Sequence, residues 1–179
     1  MAVDTLTVAC LIATLICLSA GVRAACPAAC ACAVASQPST DGHGGHGGHR
    51  AIAVTCSNAE LTAVPAELPT NAASLDVSGN RLEVLDGASL PHTGVHGLST
   101  ANFSRNRIVT IATESFSGWS NLVSLDLSAN RLSSIDHGTF RGAPQTSLQN
   151  LDLSGNRLTD VDGGFSGMTN LFRSVTSSQ

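Results

Sequence analysis

Four cysteines, Cys26, Cys30, Cys32 and Cys56, stand near the amino terminus, and three histidines, His43, His46 and His49, lie between Cys32 and Cys56. These are the residue types that hold metals or form disulfides. Four cysteines in a small exported chain read as two disulfides, with three possible connectivities. A zinc site is the competing reading, and the C-x3-C-x-C spacing does not fit the usual finger patterns. The histidines fall in the run Asp41-Gly42-His43-Gly44-Gly45-His46-Gly47-Gly48-His49-Arg50. Imidazoles three residues apart can bind Cu²⁺, Zn²⁺ or Ni²⁺, and in an extended polyproline-like chain they share one side. The plainer reading is a glycine-rich loop that tolerates any polar residue. Ordering so many glycines would weaken metal affinity. No metal and no cofactor are expected, with His43, His46 and His49 as the candidates if one binds.

Catalytic constellations are not found. The sequence has no G-x-S-x-G, no H-E-x-x-H and no phosphate loop. His92, His96 and His137 fall in loops with no nucleophile implied nearby, so the chain is not expected to be an enzyme. The 179 residues suggest one domain or at most two. A net charge of −4 leaves no basic field for nucleic acid. The 42% hydrophobic content is too high for a disordered chain, and Gly has no three-residue period. Only five Phe and Trp119 supply aromatic rings. Other side chains must therefore supply most of the interior.

The first residues carry the export reading. Leu6 to Gly21 is an uncharged apolar run, followed by Val22-Arg23-Ala24 with small residues at an A-x-A-like cleavage site. That is the pattern of a secretory signal peptide cut after Ala24, or after Ala25. Asp4 and the lack of Lys or Arg before the run depart from the pattern. An uncleaved anchor is the alternative, but the run is short against the ~20 residues that span a bilayer. Cleavage would remove Cys10 and Cys17 and leave four cysteines. No later segment is apolar enough to span a membrane.

Self-similarity organises the remainder. Four cores repeat: Leu75 to Leu82, Ala101 to Ile108, Leu125 to Leu132 and Leu151 to Leu158. Each carries an asparagine at the same offset, namely Asn80, Asn106, Asn130 and Asn156. Apolar positions precede the cores (Ala72, Leu98, Leu122, Leu148) and follow them (Leu85, Ile111, Ile135, Val161), and a larger column comes later (Leu90, Phe116, Phe140, Phe165). The pattern L-x-x-L-x-L-x-x-N-x-L is that of the leucine-rich repeat. The L-x-L alternation predicts a strand with one buried face. The asparagine is expected to satisfy backbone groups where the chain turns inside the stack. Leucine columns would then form the core in place of aromatic rings, with the Phe column packing the convex side. A single repeat cannot bury its apolar face, so stability is a sum over neighbours.

An open stack needs caps. Cys26-Pro27-x-x-Cys30-x-Cys32, Val54-Thr55-Cys56 and the stretch Leu61 to Pro69 resemble the cysteine-rich amino-terminal cap of extracellular leucine-rich repeat proteins, such as Slit, the Toll-like receptors and the small leucine-rich proteoglycans. Cap and repeats together cover residues 26 to about 171. The resemblance implies Cys26–Cys32 and Cys30–Cys56 pairing, and protein recognition outside the cell. Two departures stand out. One is the Gly/His-rich insertion, residues 37–50. The other is the carboxyl end, where a fifth repeat begins at Leu171 but Ser174 and Thr176 hold strand positions and Gln179 stands where a ladder asparagine belongs. That end is expected to continue in a longer protein, to be capped by the polar tail, or to be covered by a partner, a second copy included.

The expected architecture is an α/β solenoid, a leucine-rich repeat horseshoe with a parallel concave sheet and a disulfide-bonded cap. Residues 1–24 form the signal peptide, 25–70 the cap, and 71–179 four clear repeats and an incomplete fifth. The concave face would present Ser74, Asp76 and Ser78, with Thr100, Asn102 and Ser104, Ser124, Asp126 and Ser128, and Asn150, Asp152 and Ser154 beside them. Asp76, Asn102, Asp126 and Asp152 are the candidate partner-binding column. Arg81, Arg107, Arg131 and Arg157 form a second column, with Arg105 beside it, which either meets a partner or offsets neighbouring Asp charge on a solvated face. Asn102-Phe103-Ser104 is the one N-glycosylation sequon. The partner expected is an extracellular protein, not nucleic acid, met by a secreted chain or by part of a cell-surface receptor. A metal- or matrix-associated role through the His-rich insertion is the alternative.

Overall fold

Each apolar alternation in the sequence becomes a short strand, because period two turns one side of the chain toward the core. The computed structural model describes residues 26–35, 51–87, 89–91, 95–142, 144–161, 163–171 and 173–175. The signal segment, the insertion with His43, His46 and His49, and also His92, Thr176 and Gln179 lie outside the described residues.

The strands are β1 (Ala31–Val34), β2 (Ile52–Thr55), β3 (Ala72–Asp76), β4 (Val84–Leu85), β5 (Thr100–Asn102), β6 (Thr110–Ile111), β7 (Ser124–Asp126), β8 (Asn150–Asp152) and β9 (Arg173–Val175). Seven of them form one sheet in the order β1-β2-β3-β5-β7-β8-β9. β1 runs antiparallel to β2 and every later pair is parallel. Register is set repeat by repeat: Leu75, Ala101, Leu125 and Leu151 align, and so do Asp76, Asn102, Asp126 and Asp152. This is the leucine-rich repeat horseshoe that the sequence implies.

The cap belongs to the same sheet. Val54 of β2 aligns with Leu75 of β3, so the cap fills the leucine column one step earlier. Cys26 bonds Cys32 and Cys30 bonds Cys56, as the family resemblance implies. The second bridge ties β2 to the segment before β1 across 26 positions.

The convex side differs from a helical layer. Its one described helix is α1 (Pro144–Ser147), four residues long. Elsewhere turns carry the chain back, and β4 pairs with β6 in a second, two-stranded parallel sheet. Turns win because each crossing is short and is broken by residues with positive φ. At Gly138 (φ +89°) an added Cβ would stand 2.8 Å from the Thr113 methyl, so both conformation and space require glycine.

The core is not made by leucine alone. Ala101 replaces a leucine in the strand column, and Phe103 stands where the other repeats have Val77, Leu127 and Leu153. Phe103 lies 6.1 Å from Trp119 and 6.4 Å from Phe116, ring centre to ring centre. Trp119 meets Phe116 at 5.5 Å, Phe116 stacks on Phe140 at 5.9 Å, and Phe140 stacks on Phe165 at 6.4 Å. A few rings thus form a continuous row through successive repeats. The buried Trp119 Nε1–H donates to the Pro91 carbonyl at 2.8 Å, which settles its one polar group.

The asparagines form the expected ladder. Asn130 Nδ2 donates to the carbonyls of Leu127 in its own repeat and Phe103 in the preceding one, and its Oδ1 accepts from the Ile108 amide. Asn106 does the same with Phe103, Val77 and Leu82. Asn80 reaches into the cap, accepting from Ala59 and Leu61 and donating to Cys56 and Val77. Asn156 continues the pattern through Leu132, Leu127 and Leu153, but is only half-buried. Each side chain therefore stitches two repeats together.

Candidate functional site

The concave face is built where the strands end. Side chains alternate along a strand, so the residues flanking each buried leucine point away from the core. Ser74, Thr100, Ser124 and Asn150 form one row, and Asp76, Asn102, Asp126 and Asp152 form the next. Neighbouring members lie one strand spacing apart, about 4.8 Å. The Asp and Asn side chains are half-buried, whereas Ser104, expected to point outward, is buried.

The acidic column has a structural task that the sequence pattern did not reveal. Asp76 Oδ1 accepts the Ser78 amide at 2.9 Å, and Asn102 Oδ1 accepts that of Ser104 at 2.9 Å. Asp126 and Asp152 do the same for Ser128 and Ser154, both at 2.8 Å. Each bond closes a turn two residues long at the end of its strand. The following residue adopts positive φ: Gly79 (67°), Arg105 (56°), Ala129 (53°) and Gly155 (66°). At Gly79 an added Cβ would collide with Asn58 Oδ1 at 2.3 Å. One oxygen of each carboxylate is used by these bonds. The face can accept hydrogen bonds and attract cations.

The arginine column stands just past the ladder. Arg81, Arg107, Arg131 and Arg157 are all exposed. Their amides donate to Leu61, Leu82, Ile108 and Leu132 of the preceding turn at 2.8–2.9 Å, which fixes them in register. Arg81 pairs with Glu60 at 2.7 Å. His96 and His137 are exposed at convex turns, as their loop positions suggest. Among the described residues, no group of three His, Cys, Asp or Glu is placed to hold a metal. No helix there is long and apolar enough to cross a membrane.

At the carboxyl end, Leu158, Phe165, Met168 and Leu171 are only partly buried, and Val161 is 39% exposed although its counterparts Leu85, Ile111 and Ile135 are buried.

A parallel sheet coiled on an asparagine ladder, opened by a two-disulfide cap, defines a repeat scaffold. The leucine-rich repeat family matches at residues 70–132, 96–158 and 120–173, more than half of the chain, and the chain belongs to that family. Among curated proteins it is 37% identical to Tsukushi-A of Xenopus laevis over 95 residues, which are 53% of this chain and 27% of that protein. It is 34% identical to Tsukushi of Mus musculus over 97 residues, 54% of this chain and 27% of that protein. It is 36% identical to amphoterin-induced protein 2 of Rattus norvegicus over 120 residues, 67% of this chain and 20% of that protein. The chain thus matches only about a quarter or a fifth of the length of these relatives.

Proposed function

We propose that the chain is an extracellular protein-recognition module, secreted or part of a receptor ectodomain, which binds its partner on the concave face. The observation that carries this reading is the column of Asp76, Asn102, Asp126 and Asp152. It is held in register across four parallel strands, and each side chain is oriented by the hydrogen bond it accepts from a backbone amide. Pre-orientation lowers the entropy lost on binding. The disulfides agree with an oxidising compartment. The acidic column favours a partner whose contact surface is basic.

Asn102 also belongs to the sequon. Its Oδ1 is held by the Ser104 amide, so Nδ2 is the atom left to carry a glycan. A glycan there would cover Asp76 and Asp126 and move recognition toward Asp152. The mass of the secreted chain before and after enzymatic deglycosylation decides between the two arrangements.

The test of the main reading is a binding screen of the secreted chain against purified extracellular ectodomains. It is repeated with Asp76→Asn, Asp126→Asn and Asp152→Asn combined. Asparagine keeps the accepting oxygen, as Asn102 does naturally, and removes the charge. A captured ectodomain whose binding falls by about tenfold or more in the triple variant supports the concave face. Equal binding by both proteins would overturn it.

A further inference from the structure

We infer that the rim bearing Arg105, Arg107, Arg131 and Arg157 is a binding site for a linear sulfated polysaccharide. The surface is distinct from the acidic concave column.

The argument begins with charge placement. The chain has nine basic residues and a net charge of −4. Five of those nine stand on this one rim, so the cationic strip is local and not a consequence of overall charge. Arg81, Arg107, Arg131 and Arg157 occupy the same position of successive repeats, and the backbone bonds given above hold them one strand spacing apart, about 4.8 Å. Arg105 is added at a turn position that two of the other repeats fill with glycine, and it accepts φ +56° there. Among the described residues, no carboxylate lies within ion-pair distance of Arg105, Arg107, Arg131 or Arg157. Exposed like charges this close repel one another within the screening length. A polyanion relieves that repulsion.

The row has a definite beginning. Glu60 precedes Leu61 in the cap as Arg81 precedes Leu82 in the first repeat, and both leucine amides donate to the next ladder asparagine. Glu60 thus fills the arginine position one step earlier. Its bond to Arg81 closes the row at that end. Beside the row, a cleft of about 380 Å³ is lined by Arg81, Arg107, Glu83, Val84 and Thr62.

Spacing and chemistry select the ligand. Guanidinium groups bind sulfate bidentately, as a planar fork. A sulfated polysaccharide can present anionic groups on successive rings. An extended acidic peptide presents side chains on one face only every ~6.7 Å, out of step with the row. Beyond Val84 and Val109, the neighbouring positions Ser133 and Thr159 offer no apolar anchor of the kind that dominates protein interfaces.

The experiment measures binding of the secreted full chain to a labelled, fully sulfated heparin octasaccharide, to its desulfated counterpart and to an oligoglutamate peptide. Combined Arg107→Gln, Arg131→Gln and Arg157→Gln should weaken octasaccharide binding about tenfold or more. The slope of log affinity against log salt should fall by about two to three. Arg141→Gln, which removes a side chain paired with Glu114 away from the row, should change neither. Glu60→Gln should tighten binding about two- to threefold by releasing Arg81. Glu60 is a largely exposed side chain, so its loss spares the fold, and this variant keeps the test open even if the triple variant is unstable. Absence of binding near physiological salt, equal binding of the desulfated sugar, or tighter binding of oligoglutamate would each overturn the assignment. So would a triple variant that folds and binds like the parent, or a Glu60→Gln variant that binds no better.

Discussion

At the scale of the residue, the asparagine ladder shows why one side chain type recurs. Asn130 supplies donors to carbonyls of two repeats and an acceptor to the Ile108 amide, all inside the stack. Asn130→Ala would orphan the Ile108 amide and take one of two asparagine donors from each of the Leu127 and Phe103 carbonyls, which keep Asn156 and Asn106, so a loss of about 1–3 kcal/mol is expected. Asn156→Ala should cost clearly less, because Asn156 is half-buried and water reaches what it leaves behind. Urea denaturation of the two variants checks this, and equal losses would contradict it. The ladder was legible in the sequence because the asparagine sits at a fixed offset from the leucines. The hydrogen bond that Asp76, Asn102, Asp126 and Asp152 each accept from a backbone amide was not. A side chain reaching two residues ahead depends on where the backbone turns, and apolar periodicity carries no record of that. Glu60 was missed for a similar reason: its place in the arginine row emerges only when the cap is laid in register with the first repeat.

At the scale of the element, each convex crossing is held by its own small set of bonds, and two equivalent crossings can be compared. Ser115 Oγ donates to Leu85 and Ala112 carbonyls. Thr139, which precedes Phe140 as Ser115 precedes Phe116, is 1% exposed and its hydroxyl has no partner among the described residues. Ser115→Ala should therefore destabilise by about 1 kcal/mol, and Thr139→Val should be neutral or stabilising by up to about 1 kcal/mol. The opposite order of denaturation midpoints would refute the comparison. The cap gives a second element-scale test. Cys30–Cys56 closes a much longer loop than Cys26–Cys32, so replacing Cys30 and Cys56 by Ser should cost roughly 3 kcal/mol on chain-entropy reasoning, and the shorter bridge less. The strands and this pairing were readable in advance, one from periodicity and the other from family resemblance. The second sheet of β4 and β6 and the scarcity of helix among the described convex residues were not, because short segments of mixed polarity carry no period strong enough to choose between turn, strand and helix. The row of rings from Phe103 to Phe165 was half legible: the Phe column was evident, but Phe103 and Trp119 join it only through the fold.

At the scale of the whole molecule, a solenoid has no contacts between distant repeats to average out differences along its length. Local stability should then follow local burial. Leu132 is covered on both sides and 0% exposed, whereas Leu158 occupies the same position one repeat later and is only partly buried. Leu132→Ala is expected to cost within the usual ~2–5 kcal/mol for a buried leucine, and Leu158→Ala markedly less. The same logic orders amide exchange. The amides of β5 and β7, each paired on both sides, should be slower than those of β1, which pairs with β2 alone among the described strands. Breaking the cap by Cys30→Ser with Cys56→Ser should accelerate exchange in β2 and β3 much more than in β8, since the effect passes only from neighbour to neighbour. Hydrogen exchange with mass analysis of the parent and the cap variant distinguishes this from global cooperativity. Uniform protection along the chain, or equal acceleration in β3 and β8, would mean that the repeats unfold as one unit and that the nearest-neighbour description fails for a stack this short.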